Sequence, residues 1–303
     1  MTRLGSPLAR AVILGVPALW LALFVLLPFL VLGRISLSES AVARPPYRPH
    51  LPSSLDPAAW ADALARLSLD RYRTLAEDPL YRDAALSSLG LAALATALVL
   101  PLGYGIALAM ARAPERWRPA LVAIVILPFW TGFLVRVYAW IAILKQDGWL
   151  NQALLALGIV ERPLAVLNTD AAVLIGLVYA YLPFAILPIY ATLERQDPTL
   201  VEAAADLGAS PTRRFWTVTL PLSWPGIAAG GLLCFIPMVG EYVIPDLLGG
   251  ADTLMLGRTL WIEFSSNRDW PLAAAVALVL LALLVVPIVL LREIEARRLE
   301  AGR

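Results

Sequence analysis

Apolar residues run almost without interruption through six stretches, Ala11–Gly33, Ala84–Met110, Ala120–Leu144, Ala171–Leu193, Pro225–Leu248 and Pro271–Leu291. Each exceeds the roughly 20 residues that an α-helix, rising 1.5 Å per residue, needs to cross a hydrocarbon core about 30 Å thick. Polar residues gather between them: a long segment at 35–83, a basic turn at Arg112–Arg118, a connection at Glu194–Ser223 and a basic tail after Arg292. The period-two alternation of barrel strands is absent. The pattern predicts an all-α fold, a polytopic transmembrane helical bundle of about six spans. It divides into 1–34 (a stub and the first span), an outer loop at 35–83, a helical core at 84–293 containing a hairpin at 194–223, and a tail at 294–303. Pro17, Pro28, Pro101, Pro128, Pro183, Pro188, Pro237 and Pro245 fall inside the spans. Neighbouring helices can re-satisfy the carbonyls a proline frees, so kinks rather than breaks are expected.

Arg3 and Arg10 before the first apolar run imitate a secretory signal, but that run is longer than the 7–15 residues of a signal core; a retained span is expected. The basic turn and basic tail put both termini in the cytoplasm by the rule that short loops rich in Arg stay inside. The outer loop carries many arginines too, but acids balance them. It also holds a short-helix signal over Asp56–Leu67, with Asp56 as cap and Pro57 at the first helical position. Of 303 residues, 60% are hydrophobic and the mean hydropathy is +0.75. A net charge of +1 argues against nucleic acid as a partner. Cys234 has no second cysteine to pair with and reads as a small core residue. His50, alone in a Pro-rich loop, has no companion ligands, so no metal is expected.

One polar connection stands out. Glu202 to Pro221 reads EAAADLGASPTRRFWTVTLP. Asp197–Pro198 forms a helix start, Val201–Leu207 continues with helix formers, and Gly208 suits the left-handed residue that ends a helix. Ser210–Pro211 repeats the start, and Leu220–Pro221 is expected to terminate the second short helix. Ala203, Ala204 and Ala205 would let another surface come close, while Glu202 and Asp206 share one face. An amphipathic connector lying on the membrane surface is the plainer alternative.

The spacing of Glu202-Ala203-Ala204, Gly208, Val218 and Leu220-Pro221 resembles the EAA signature of ABC-importer permeases, with Val in place of Ile. PFWTGFLVRVYAW (Pro128–Trp140), DGWLNQALL (Asp147–Leu155), LVYAYLPFAILPIYATLERQDP (Leu177–Pro198) and GEYVIPDLLGG (Gly240–Gly250) resemble the spermidine/putrescine branch. The likeness covers nearly everything from about Leu80 to Leu291. It implies the type I ABC-importer permease (MetI-like) fold in a bacterial inner membrane, with 35–83 periplasmic. It further implies that Glu202, Ala203, Ala204, Asp206, Gly208, Leu220 and Pro221 form a coupling helix docking on an ATP-binding subunit dimer. That dimer would hold the ATP and magnesium; none is expected in this chain. A second, paralogous permease, a periplasmic solute-binding protein and membrane lipid complete the implied assembly. Its solute would be a polyamine, or another small amine or amino-acid-like compound.

The residues themselves agree that power comes from elsewhere. A phosphate loop needs GxxxxGK[ST], and Lys145 in ILKQDG has no glycine cradle. With a single histidine, His50, placed in a loop, no hydrolytic triad is expected, and no enzyme. Ionisable groups at membrane depth are costly and mark function: here they are Arg136, Glu241 and Asp246. Glu241 or Asp246, with the rings of Tyr138, Trp140, Tyr181 and Tyr242, could accept a cationic amine. Arg136 could instead form a structural ion pair with Glu241, or hold helix-end carbonyls, and Asp246 could cap a helix. An ion-coupled secondary transporter is the rival class, but no inverted repeat is visible between the first and last three spans.

Overall fold

The computed structural model describes residues 7–50 and 56–301; Arg3 and Arg303 of the expected stub and tail lie outside the described residues. Helices dominate, and the described strands are a two-residue antiparallel pair, Glu39–Ser40 with Tyr47–Arg48. Among the described residues, three helices are long and apolar enough to cross a membrane: Val12–Ser36, Pro79–Arg112 and Asp170–Glu194. Two further pairs would each make one span, Glu115–Trp130 with Phe133–Ala156 and Pro211–Leu222 with Trp224–Val239, bent by 86° and 62°. The last expected span falls at the apolar start of the Trp270–Ala301 helix. The chain forms two compact units, Asp83–Arg258 and the remainder.

Two expected spans are broken, not kinked. The third stops at Thr131–Gly132. Pro128 has no N–H to bond four residues back, so the chain tightens into a 3-10 turn over Leu127–Trp130, and Thr131 and Gly132 are extended. The fifth ends at Val239; Gly240–Tyr242 leave the helix and a short Val243–Leu248 helix follows. Helices run on without a break through Pro17, Pro101, Pro183, Pro188 and Pro237. Two prolines are absorbed differently. A π-turn over Ala22–Leu26 precedes Pro28, and another over Phe215–Thr219 precedes Pro221. In each, an N–H reaches five residues back (Leu27 to Ala22, Leu220 to Phe215), and the register slips past the missing donor. Leu220–Pro221 therefore does not end its helix; the turn comes at Ser223.

In the Asp83–Arg258 unit, the Asp170–Glu194 helix is central. Trp224–Val239 packs along it through Gly226, Gly230, Cys234 and Met238, a buried stripe at every fourth position. A Cβ on Gly230 would sit 3.1 Å from the Cα of Ala185, and one on Gly226 would sit 2.8 Å from the Pro188 carbonyl. Small residues at i and i+4 bring the backbones together, which is how helices associate where lipid removes the hydrophobic drive. The Cys234 thiol donates to the Tyr181 carbonyl at 3.4 Å, so it is a core residue. Beyond the third span, fully buried Asn151 brackets Leu164, accepting from its N–H (2.7 Å) and donating to its carbonyl (2.9 Å).

In the other unit, Trp270–Ala301 packs against Leu27–Ser36 and the Asp70–Glu77 helix. Buried Glu263 accepts from the Tyr81 hydroxyl (3.0 Å) and the Asn267 amide (2.9 Å), and Arg71 pairs with Asp269 at 3.2 Å. The outer-loop helix forms as expected over Pro57–Ala65, with Asp56 accepting from Ala58 N–H. Asp70–Glu77, Trp149–Ala156 and Leu256–Ser265 are helices the apolar pattern does not announce.

Candidate functional site

The hairpin is a capped, projecting element. Its first helix, Pro198–Asp206, starts on Asp197, whose carboxylate accepts from Thr199 N–H at 2.9 Å. That hydrogen bond to the charged form holds the Asp197 carboxyl below its ordinary pKa. The helix ends with Gly208 at φ +81°, where Gly208 N–H reaches Ala205 and Ala209 N–H reaches Ala204. This paired closure satisfies carbonyls the helix would leave open. Ser210 caps the next turn by accepting from Arg213 N–H at 3.4 Å. Glu202, Ala203, Asp206, Leu207 and Gly208 are exposed, and Ala204 is half-buried. The hairpin root is tied down: Gln196 donates to the carbonyl of Thr219, inside the π-turn, at 3.0 Å. Beside it a groove of about 500 Å³ is lined by Leu108, Arg112, Arg118, Glu194, Val201 and Glu202. Arg118 lies 3.9 Å from Glu194, which also accepts from the Tyr190 hydroxyl.

A second cavity, about 520 Å³, is apolar and aromatic, lined among others by Phe129, Phe133, Arg136, Tyr181, Phe184 and Ile236. Phe184 stands edge-on to Phe129 at 5.2 Å and tilted to Tyr181 at 5.8 Å. Of the sequence candidates, Arg136 and Tyr181 line this cavity. Arg136 forms no ion pair with Glu241 among the described residues. Its guanidinium bonds the Pro128 carbonyl at 2.5 Å and lies 5.2 and 5.7 Å from the ring centres of Phe129 and Phe133. The carbonyl alternative is what forms, because the broken third span exposes that carbonyl beside the first turn of the next helix.

Glu241 is held differently. One carboxylate oxygen accepts from the Tyr181 hydroxyl at 2.7 Å; the other accepts from the N–H groups of Tyr242 and Val243 at 3.2 and 3.0 Å. It thus caps the Val243–Leu248 helix, where a negative charge at a helix N-terminus is favourable. Asp246 is not that cap. It lies 3.4 Å from Arg258, whose guanidinium also reaches the carbonyls of Gly250 and Thr253. Thr253 in turn donates to Asp170 at 2.6 Å, tying this loop to the central helix. Tyr138 and Tyr242 are 57% and 40% exposed, and Trp140 packs edge-on to Tyr179 at 5.4 Å. Sequence reasoning missed the roles of Gln196, Arg258 and the Gly226–Gly230 pair. The four-residue spacing of those glycines was the readable signal; the other two depend on breaks that the hydropathy pattern hides.

Comparison with known proteins gives these features a context. The family model described as binding-protein-dependent transport system inner membrane component matches residues 100–300. The spermidine/putrescine transport system permease protein PotB of Escherichia coli strain K12 is 40% identical over 261 residues, covering 86% of this chain and 88% of that protein. PotB of Haemophilus influenzae is 43% identical over 222 residues, 72% of this chain and 77% of that protein. The crystal structure of a bacterial ABC transporter involved in import of the acidic polysaccharide alginate aligns over 96% of this chain and 95% of that one, with a TM-score of 0.69 and 16% identity. At that identity the likeness concerns the fold, which is that of an ABC-importer permease. The chain belongs to the family of binding-protein-dependent transport system inner membrane components.

Proposed function

We propose that this chain is one permease half of a polyamine importer, moving a solute such as spermidine or putrescine by alternating access. A dimer of ATPase subunits, holding ATP and magnesium, would grip the 194–223 hairpin in the cytoplasm, where both termini would also lie. A paralogous permease would complete the path, and a periplasmic binding protein would deliver the solute to the outer face. The observation that carries the reading is the 40% identity to PotB across 86% of the chain. The exposed, doubly capped hairpin suits a rigid part that transmits force without refolding.

Within the path, Glu241 is the acid best suited to meet an ammonium group. Its carboxylate offers about four lone-pair sites and three are used, so one acceptor direction is free. Asp246 is largely neutralised by Arg258. Tyr181 couples Glu241 to the aromatic cavity, while Tyr138, Trp140 and Tyr242 supply ring faces for cation–π contacts of about 0.5–2 kcal/mol each.

The test is uptake of labelled spermidine by the complete transporter in proteoliposomes supplied with ATP and binding protein. The wild type should accumulate spermidine, and ATP hydrolysis should rise with it. Glu241→Gln should lower uptake at subsaturating spermidine about tenfold, with ATPase subunits still co-purifying. Unchanged uptake would remove Glu241 from the path. Hydrolysis stimulated by another small amine or an amino acid, and not by polyamines, would replace the solute assignment.

A further inference from the structure

We infer that the Pro128 carbonyl together with the Phe129 and Phe133 rings forms an amine-binding subsite, which Arg136 occupies in this conformation as a tethered competitor. The inference rests on the transport reading above. Hydrogen-bond accounting gives the first reason. The Pro128 carbonyl already accepts from Thr131 N–H (3.3 Å) and from the Thr131 hydroxyl (2.7 Å). A carbonyl has two lone pairs, so Arg136 arrives as a third donor that the backbone does not need. Charge gives the second. A guanidinium in an apolar cavity is ordinarily matched by a carboxylate, yet no acid pairs with Arg136 among the described residues, and its buried Nε has no hydrogen-bond partner. What holds the cation is a helix-end carbonyl and two ring faces, the groups that would hold an alkylammonium. Space gives the third: about 520 Å³ lies open beside the guanidinium, with Tyr181 on its wall and Glu241 one hydrogen bond beyond.

A transported amine reaching the cavity would take over this seat as Arg136 withdraws. While the arginine stays, its positive charge keeps small cations from crossing an idle transporter.

The experiment uses the assembled transporter in nanodiscs without binding protein, and two probes. Ethylguanidinium, an analogue of the arginine head, should bind Arg136→Ala at least tenfold more tightly than wild type. Spermidine should compete for it on the variant. Adding Phe129→Leu to Arg136→Ala should remove the gain. Equal ethylguanidinium binding by wild type and variant would overturn the inference, as would a gain that survives Phe129→Leu or one that neither spermidine nor 1-aminobutane competes away. If Arg136→Ala does not assemble, Arg136→Leu, which fills space but offers the Pro128 carbonyl no donor, is read the same way. Wild-type spermidine uptake, measured separately, tests the solute assignment. Competition by 1-aminobutane without any spermidine uptake would fault the solute and leave the subsite standing.

Discussion

Gly230→Leu will abolish recovery of the assembled transporter. The atoms that a side chain at 230 would meet belong to the Ala185 backbone, with Cα at 3.1 Å and the carbonyl oxygen at 3.2 Å, and a backbone cannot rotate aside. Overpacking a core usually costs about 1–3 kcal/mol when neighbours can yield. Here the whole Trp224–Val239 helix would have to withdraw, opening the stripe through Cys234 and Met238. Gly226→Ala should be milder yet visible. Thr192 Oγ1 can swing away, but the Pro188 carbonyl and the Thr192 Cβ, 2.8 and 2.9 Å from the new Cβ, cannot. The control is the adjacent Gly231→Ala, whose Cβ would meet the Leu100 side chain at 3.5 Å, an ordinary contact. Size-exclusion elution of the tagged complex reads all three. A wild-type peak for Gly230→Leu would mean that the two helices are not held by close backbone approach.

The contrast between 230 and 231 also marks what the chain discloses on inspection. Hydropathy locates the apolar stretches, because apolar length is a property of consecutive residues. Hairpin capping is equally local: Asp197–Pro198, Gly208 and Ser210–Pro211 act within three or four positions, and the structure closes each as that chemistry dictates. The breaks at Thr131–Gly132 and Gly240–Tyr242 were not legible. A proline inside an apolar run permits a kink, a π-turn, a 3-10 turn or a stop, and the outcome depends on partners from elsewhere. Pro183 and Pro188 stay within a helix buried on many sides. Pro128 ends one, where Thr131 can fold back onto its carbonyl. The site inherits this ambiguity. Glu241 looks like an isolated membrane acid in the sequence, and it becomes a helix cap only because the fifth span breaks in front of it. Arg136 finds a carbonyl, not that acid, because the third span breaks first. Membership of the importer family leaves the ion-coupled carrier without support, and the broken helices, which an inverted repeat would put in corresponding positions, sit in non-equivalent spans.

Gly208→Val will leave a transporter that assembles but scarcely transports. At φ +81° an L-residue places its Cβ against its own carbonyl, a penalty of about 1–2 kcal/mol and more for a β-branched side chain. Nothing lies within 4 Å of the position a Cβ would take, so the substitution strains the backbone without creating a collision. The strain is relieved by unwinding the closure at Ala204 and Ala205, which lets the Pro198–Asp206 helix change its angle to the following turn. Because the position is exposed, expression and elution should match the wild type. Spermidine uptake should fall at least tenfold, and ATP hydrolysis by the partner subunits should lose its response to loaded binding protein. Gly208→Asn separates conformation from side-chain bulk. Asparagine enters the left-handed region readily, and that variant should keep most of the uptake although its side chain is about the size of valine. If the valine variant transported as well as the asparagine one, the angle fixed at Gly208 would not be what carries the stroke, and the rigid hairpin would be a connector on the membrane surface.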